Sequence, residues 1–171
     1  MRILNIFQPR SGTEAGPSAI LNSGLAGQLR SRFQQIYSDK PIEIRRNLPD
    51  PDYLGMKNSH TVSEATKHVS ERVYEHSRNG DFVLTLGVDH SNAIGSLAGS
   101  NKGILERLGR ETTFIWVNAH VSMNTPDTSP SGYIHGMPLV FATGIAQTRG
   151  EGIFDWIHND HLIDPKRIVY I

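Results

Sequence analysis

The chain has 171 residues, and its 17 Lys and Arg are balanced by 17 Asp and Glu to a formal net charge of zero. That length, with 37% apolar residues, suffices for one core and leaves little room for a second domain. Charge balance removes the basic stripe of a nucleic-acid binder, and the absence of cysteine excludes disulfides, thiol nucleophiles and thiolate metal sites.

In chain order, Met1 to Pro9 predicts a first strand, too short and too interrupted by Asn5 to be a signal-peptide core. A turn-rich loop, Gln8 to Gly16, leads to Pro17, which suits the first position of a helix because its missing N–H would be unpaired there. Leu21, Leu25, Leu29 and Phe33 then make an apolar stripe at four-residue spacing. Ile42 to Ile44 predicts a short strand. A second helix is expected to start near Thr61 or Ser63, with Val62, Ala65, Val69 and Val73 inward, and to stop before Gly80. Phe82 to Leu86 is a continuous apolar run of the kind that forms a central strand covered on both faces. Ser91 is placed to cap a third helix carrying Ile94, Leu97 and Ala98, and Phe114 to Val117 predicts another buried strand. Met123 to His135 is a long polar loop, and Arg167 to Ile171 reads as a further strand that expects a following strand–helix unit to cover it. Alternating strands and helices predict an α/β fold, a three-layer α/β/α sandwich with a mostly parallel sheet, and residues 1–171 are expected to form a single truncated domain. No run approaches the roughly 20 apolar residues of a membrane span, so no membrane is expected and the cytoplasm is the expected compartment.

Polar residues follow directly on the buried-strand candidates in three segments: Leu86 to Ser91, Val117 to Pro126, and Ser131 to Pro138. In a parallel sheet the carboxyl ends of neighbouring strands share a rim, where His90 and His120 can converge as they would around a divalent metal. An Asp-His-Ser after a strand equally suits a helix cap with a hydrogen-bonded histidine, and the residues alone leave both readings open. A Ser-His-Asp hydrolase lacks support, because no Gly-x-Ser-x-Gly elbow is present.

Those segments read Gly87-Val88-Asp89-His90-Ser91, Asn118-Ala119-His120-Val121-Ser122, Asn124-Thr125-Pro126 and Ser131-Gly132-Tyr133-Ile134-His135-Gly136. In that order they resemble the arginase branch of the ureohydrolase family, whose motifs are Gly-Gly-Asp-His-Ser, Asp-Ala-His-(Thr/Ala)-Asp, Asn-Thr-Pro and Ser-Gly-Asn-x-His-Gly. Gly12 to Pro17 and Ile168 to Ile171 are similar to family segments as well, so the resemblance covers essentially the whole chain.

The resemblance implies the following roles. Family enzymes hold two manganese ions with two histidines and four aspartates, and a metal-bound hydroxide attacks the guanidinium of L-arginine to give L-ornithine and urea. By motif position His90 and His120 match the histidine ligands of the two ions. Asn118 stands where the family has a bridging aspartate, and Ser122 where it has another aspartate ligand. Asn124, Ser131 and Tyr133 match residues contacting the α-carboxylate end of the substrate, Tyr133 in place of an asparagine. His135 matches a histidine that shuttles protons. The other two aspartates belong to an Asp-x-Asp motif in the family's second half, so none of the four carboxylates is expected here. Asp89 matches a supporting residue that anchors its loop, and Val88 replaces the second glycine of its motif.

The expected outcome is an arginase-like pseudoenzyme in which manganese is weakly held or absent. The alternatives are a fragment or variant of an active manganese-dependent arginase, and a module that binds L-arginine or L-ornithine through Asn124 and Ser131. An uncovered last strand would invite pairing with another chain through the sheet edge, including formation of a homo-oligomer.

Overall fold

The computed structural model describes residues 12, 15–39, 42, 49–87, 89–146 and 152–171. The strand expected within Met1 to Pro9, most of the strand expected at Ile42 to Ile44, and Val88 lie outside the described residues.

The amphipathic stripe at the start of the described chain forms two short helices, α1 (Gly16–Ile20) and α2 (Ala26–Arg30), rather than one. Between them the backbone makes a π-type turn in which Gly24 sits at φ 96°, a left-handed conformation that breaks the helical path. Pro17 does occupy the first turn of α1. Leu21, Leu25 and Leu29 remain half-buried, and Phe33 stacks on Phe82 with ring centroids 5.8 Å apart. The expected stripe therefore does not reach the main core.

The predicted second helix is α3 (Ser59–Asn79), and Val62, Ala65, Val69 and Val73 are buried as its spacing dictates. Gly80, at φ 86°, closes it in the left-handed conformation that suits a helix end. The start lies ahead of Thr61 because Asp50 reaches across the connection to cap it. Its carboxylate accepts from the N–H groups of His60 (3.3 Å) and Thr61 (2.9 Å) and from the Thr61 hydroxyl (2.5 Å).

The third helix, α4 (Asn92–Leu108), packs along α3 at close range. Gly95 and Gly99 make this possible: a Cβ on Gly95 would lie 2.2 Å from the Thr66 carbonyl oxygen, and one on Gly99 2.3 Å from that of Ser70. The facing residues of α3 are small, with Ser63, Thr66, Ser70 and Ser77 all buried. Ser91 occupies the cap position of α4, but its side chain does not cap the helix. Its hydroxyl and N–H both donate to Asp89 Oδ1, the latter at 2.8 Å, so the carboxylate organises the turn.

The sheet of the described residues consists of β1 (Phe114–Trp116) and β2 (Ile168–Tyr170), paired in parallel with Phe114 opposite Ile168, Ile115 opposite Val169 and Trp116 opposite Tyr170. Phe114 and Ile168 point into a core with Leu97 of α4, Ile163, and Leu139 and Ala142 of α5 (Pro138–Ala142). A second core joins the inner faces of α3 and α4 to Met56, Ile134, Met137, Val140, Phe141, Ile153 and Phe154. Helices α3, α4 and α5 thus form one layer and the parallel strands another, the arrangement of an α/β domain.

Two strand expectations need correction. Phe82 to Leu86 is not a doubly covered strand: residues 81–85 pair in no ladder, Leu86 makes only an isolated bridge, and Phe82 is 78% exposed. The apolar run alone cannot make a central strand, because that needs ladder partners on both edges and cover on both faces. Phe114 to Val117 is covered on one face only, where Phe114 and Trp116 are half-buried, while Ile115 is 65% and Val117 75% exposed.

Candidate metal and substrate site

The turn ahead of α4 and the chain leaving β1 bring His90, Asn118 and Ser122 together. The Asn118 side-chain amide lies 3.1 Å from His90 Nδ1 and donates to Ser122 Oγ at 3.3 Å. The backbone fixes this amide from the sheet side, because the Asn118 N–H donates to the Ile171 carbonyl at 3.3 Å, one step beyond the β1–β2 ladder. Ser122 is buried at φ 56°, and its carbonyl accepts from the Leu139 N–H at 3.3 Å, which ties the loop to α5. The exposed His90 ring tilts against Trp116 with centroids 5.5 Å apart. In either orientation of the amide, His90 Nδ1 is engaged: it accepts from Nδ2, or its own proton goes to Oδ1.

His120 stands apart from that cluster. Its ring is exposed and makes no hydrogen bond to the other three among the described residues, while its carbonyl accepts from Trp116 Nε1 at 3.3 Å. Among the described residues no group of three or more His, Asp or Glu side chains is gathered as metal ligands.

The substrate-loop residues form a second group. Asn124 is exposed, its N–H donating to the Gly136 carbonyl at 3.2 Å and its amide lying over Gly136. Ser131 is exposed and accepts from the Tyr133 N–H at 3.3 Å. Tyr133 stacks on His135 with centroids 5.8 Å apart, and His135 Nδ1 is buried without a partner. Lys57 completes the group: its Nζ lies 4.8 Å over the Tyr133 ring, and its N–H donates to the Gly132 carbonyl at 2.9 Å. Nothing in the sequence around Lys57 marks it for this position, because only the fold brings residues 57 and 133 into register.

Below His90, Asp89 Oδ2 and both polar atoms of the Asn92 amide are buried without partners. Asn92 packs on Gly87, where a Cβ would fall 2.1 Å from its Nδ2. Elsewhere, a cleft against α3 lined by His60, Tyr74, Lys102, Trp156 and His161 contains none of the sequence-predicted site residues. Burial lowers the His161 pKa there, and Lys102 is paired with Asp160 at 2.9 Å.

A parallel α/β domain with its polar loops gathered beyond the strand ends is the architecture of many small-molecule enzymes. Here the sequence places it more narrowly: the Arginase family profile matches residues 4–171, and the chain belongs to the arginase family. It is 48% identical over 168 residues to an arginase of Neurospora crassa, a match covering 96% of this chain and 47% of that protein. A solved arginase of Bacillus subtilis superposes with a TM-score of 0.80 at 31% identity, covering 99% of this chain and 56% of that one. An Entamoeba histolytica arginase in complex with L-ornithine gives a TM-score of 0.70 at 27% identity, covering 98% of this chain and 54% of that one. The chain spans about half the length of the curated relatives it matches. The likeness to these arginases establishes the α/β fold that the strand and helix pattern predicts.

Proposed function

We propose that the chain is an arginase-derived pseudoenzyme that does not assemble a dinuclear manganese centre and does not by itself hydrolyse L-arginine. The observation that carries this reading is the hydrogen-bonded cluster of Asn118, His90 and Ser122, in which neutral side chains occupy positions matched by motif to metal ligands. Mn²⁺ is a hard cation low in the affinity order and depends on anionic oxygen donors. Two dications about 4 Å apart repel by about 17 kcal/mol even at an effective dielectric constant of about 20, and carboxylates between them must offset that. An amide oxygen and a hydroxyl carry no charge to do so, and His90 Nδ1 is already engaged. The residues present do not fit a pair of manganese ions. No hydrolytic step is derived through them.

The loop of Asn124, Ser131 and Tyr133 supports a second reading, recognition of the amino-acid end of L-arginine or L-ornithine. The exposed Asn124 and Ser131 offer hydrogen-bonding groups, and Lys57 adds a cation for a carboxylate. Equilibrium dialysis with labelled L-ornithine tests it: retention abolished by Asn124→Ala supports binding at this loop, and no retention at millimolar ligand discards it.

For the first reading, urea release by the purified chain with added Mn²⁺ should stay at the level of a protein-free control. Turnover comparable to that of the Neurospora crassa arginase would refute it.

A further inference from the structure

Three segments meet at the last turn of α3. His76 Nε2 lies 3.0 Å from Asp39 Oδ2, in the connection that follows α2, and its Nδ1 lies 3.0 Å from Asp81 Oδ2, just beyond Gly80. Arg72, one turn earlier on α3, stands 3.8 Å from the same Asp39 oxygen, and the Arg107 guanidinium of α4 lies over Gly80. Arg78 is directed instead to the Tyr74 hydroxyl at 3.2 Å, with Glu75 and Glu106 beside it. The ring itself is therefore set between two carboxylates that come from different parts of the chain.

An imidazolium donates from both nitrogens and serves both carboxylates at once. A neutral imidazole carries one N–H, so on losing its proton His76 turns a lone pair toward one carboxylate, and one hydrogen bond becomes a repulsion. Asp81 is tied in place by its own N–H, which donates to the His76 carbonyl at 3.1 Å. Asp39 lies in a stretch, residues 34–39, that makes no backbone hydrogen bond among the described residues, so Asp39 is the side that lets go. Little else fastens the start of the described chain: across α1, the π-type turn and α2 only Pro17 is buried, and the stacked Phe33 and Phe82 rings are 43% and 78% exposed. The hydrogen bond to Asp81, then that to Asp39, raises the His76 pKa above its ordinary 6.5, which moves the release upward in pH from that value.

We propose that His76 is the pin of an acid-closed latch: charged, it clamps Asp39 to Asp81 and holds residues 31–39 against the end of α3; neutral, it releases Asp39 and frees that connection. Opening separates the Phe33 ring from Phe82 and leaves α3 and its contact with α4 as they are. The device uses none of His90, Asn118 and Ser122, so it stands or falls apart from the pseudoenzyme reading.

The test is chymotryptic cleavage of the full chain after Phe33 and Tyr37, followed from pH 6 upward and normalised at each pH to an unstructured peptide of the same sequence. Nuclear magnetic resonance of the His76 ring protons gives its titration in the same samples, and circular dichroism checks that the helices stay folded. Normalised cleavage should rise roughly threefold to tenfold with rising pH, its midpoint coinciding with the His76 titration. His76→Arg, charged throughout, should hold cleavage low at every pH, and His76→Gln should leave it high and flat. Asp39→Asn should also leave it high and flat, and should move the His76 titration downward. Three results would overturn the proposal: normalised cleavage that stays flat across the His76 titration, a rise that persists in His76→Gln, or a His76 titration that Asp39→Asn does not move.

Discussion

At the scale of single residues, the amide at position 118 matters more than any other group. The sequence singled out Asn118 and Ser122 as neutral residues at positions matched by motif to metal ligands, and the structure brings the Asn118 amide against both His90 Nδ1 and Ser122 Oγ. The separation of His120 from the cluster was not legible, because loop direction beyond β1 is set by the Ile171 and Leu139 contacts rather than by spacing. Nor was the unpartnered Asn92. A buried amide without partners costs about 1–3 kcal/mol, so Asn92→Leu, similar in shape, should raise unfolding stability by about 1–2 kcal/mol in urea titration. A drop in stability would show that the amide is satisfied in solution.

His76 gives a second residue-scale prediction. Its Nδ1 lies 3.0 Å from Asp81 and its Nε2 3.0 Å from Asp39, so both ring nitrogens face carboxylates and the imidazolium is favoured. The hydrogen bond to Asp81, then that to Asp39, raises the pKa above its ordinary 6.5. A raised folded-state value means the stabilisation is fully present below the unfolded pKa and is lost as pH rises through the folded one. Unfolding free energy measured from pH 6 upward should fall across that window, and His76→Gln should remove this component of the slope. An unchanged slope would show that the pair of carboxylates contributes nothing.

At the scale of elements, helices with a strong apolar period were read well: α3 and α4 bury the residues their spacing selects, and α3 ends at Gly80. Its start was misplaced because the capping carboxylate comes from Asp50, outside the local pattern. Helix α1 was overextended because periodicity does not register the left-handed Gly24. Strands were read less well, since Phe82 to Leu86 carries a strand's composition but lacks a strand's ladder. The α3–α4 contact makes a sharp prediction. Gly99→Ala places a methyl 2.3 Å from a backbone carbonyl oxygen that cannot rotate away, and should destabilise by about 1–3 kcal/mol in spite of alanine's better helix propensity. A stabilised variant would mean that the two helices separate easily.

At the scale of the molecule, the arginase fold was legible because ordered motifs span the chain. The proposed function sets fold and chemistry apart: the family's sequence pattern runs over residues 4–171, while the motif match proposes Asn118 and Ser122, neither a carboxylate, for two of the metal-ligand positions. Titration of the purified chain with Mn²⁺, followed by electron paramagnetic resonance and calorimetry, tests that divergence most directly. The account predicts no spin-coupled pair and at most single-ion binding weaker than about 1 mM. Two tightly bound, spin-coupled ions per chain would contradict it.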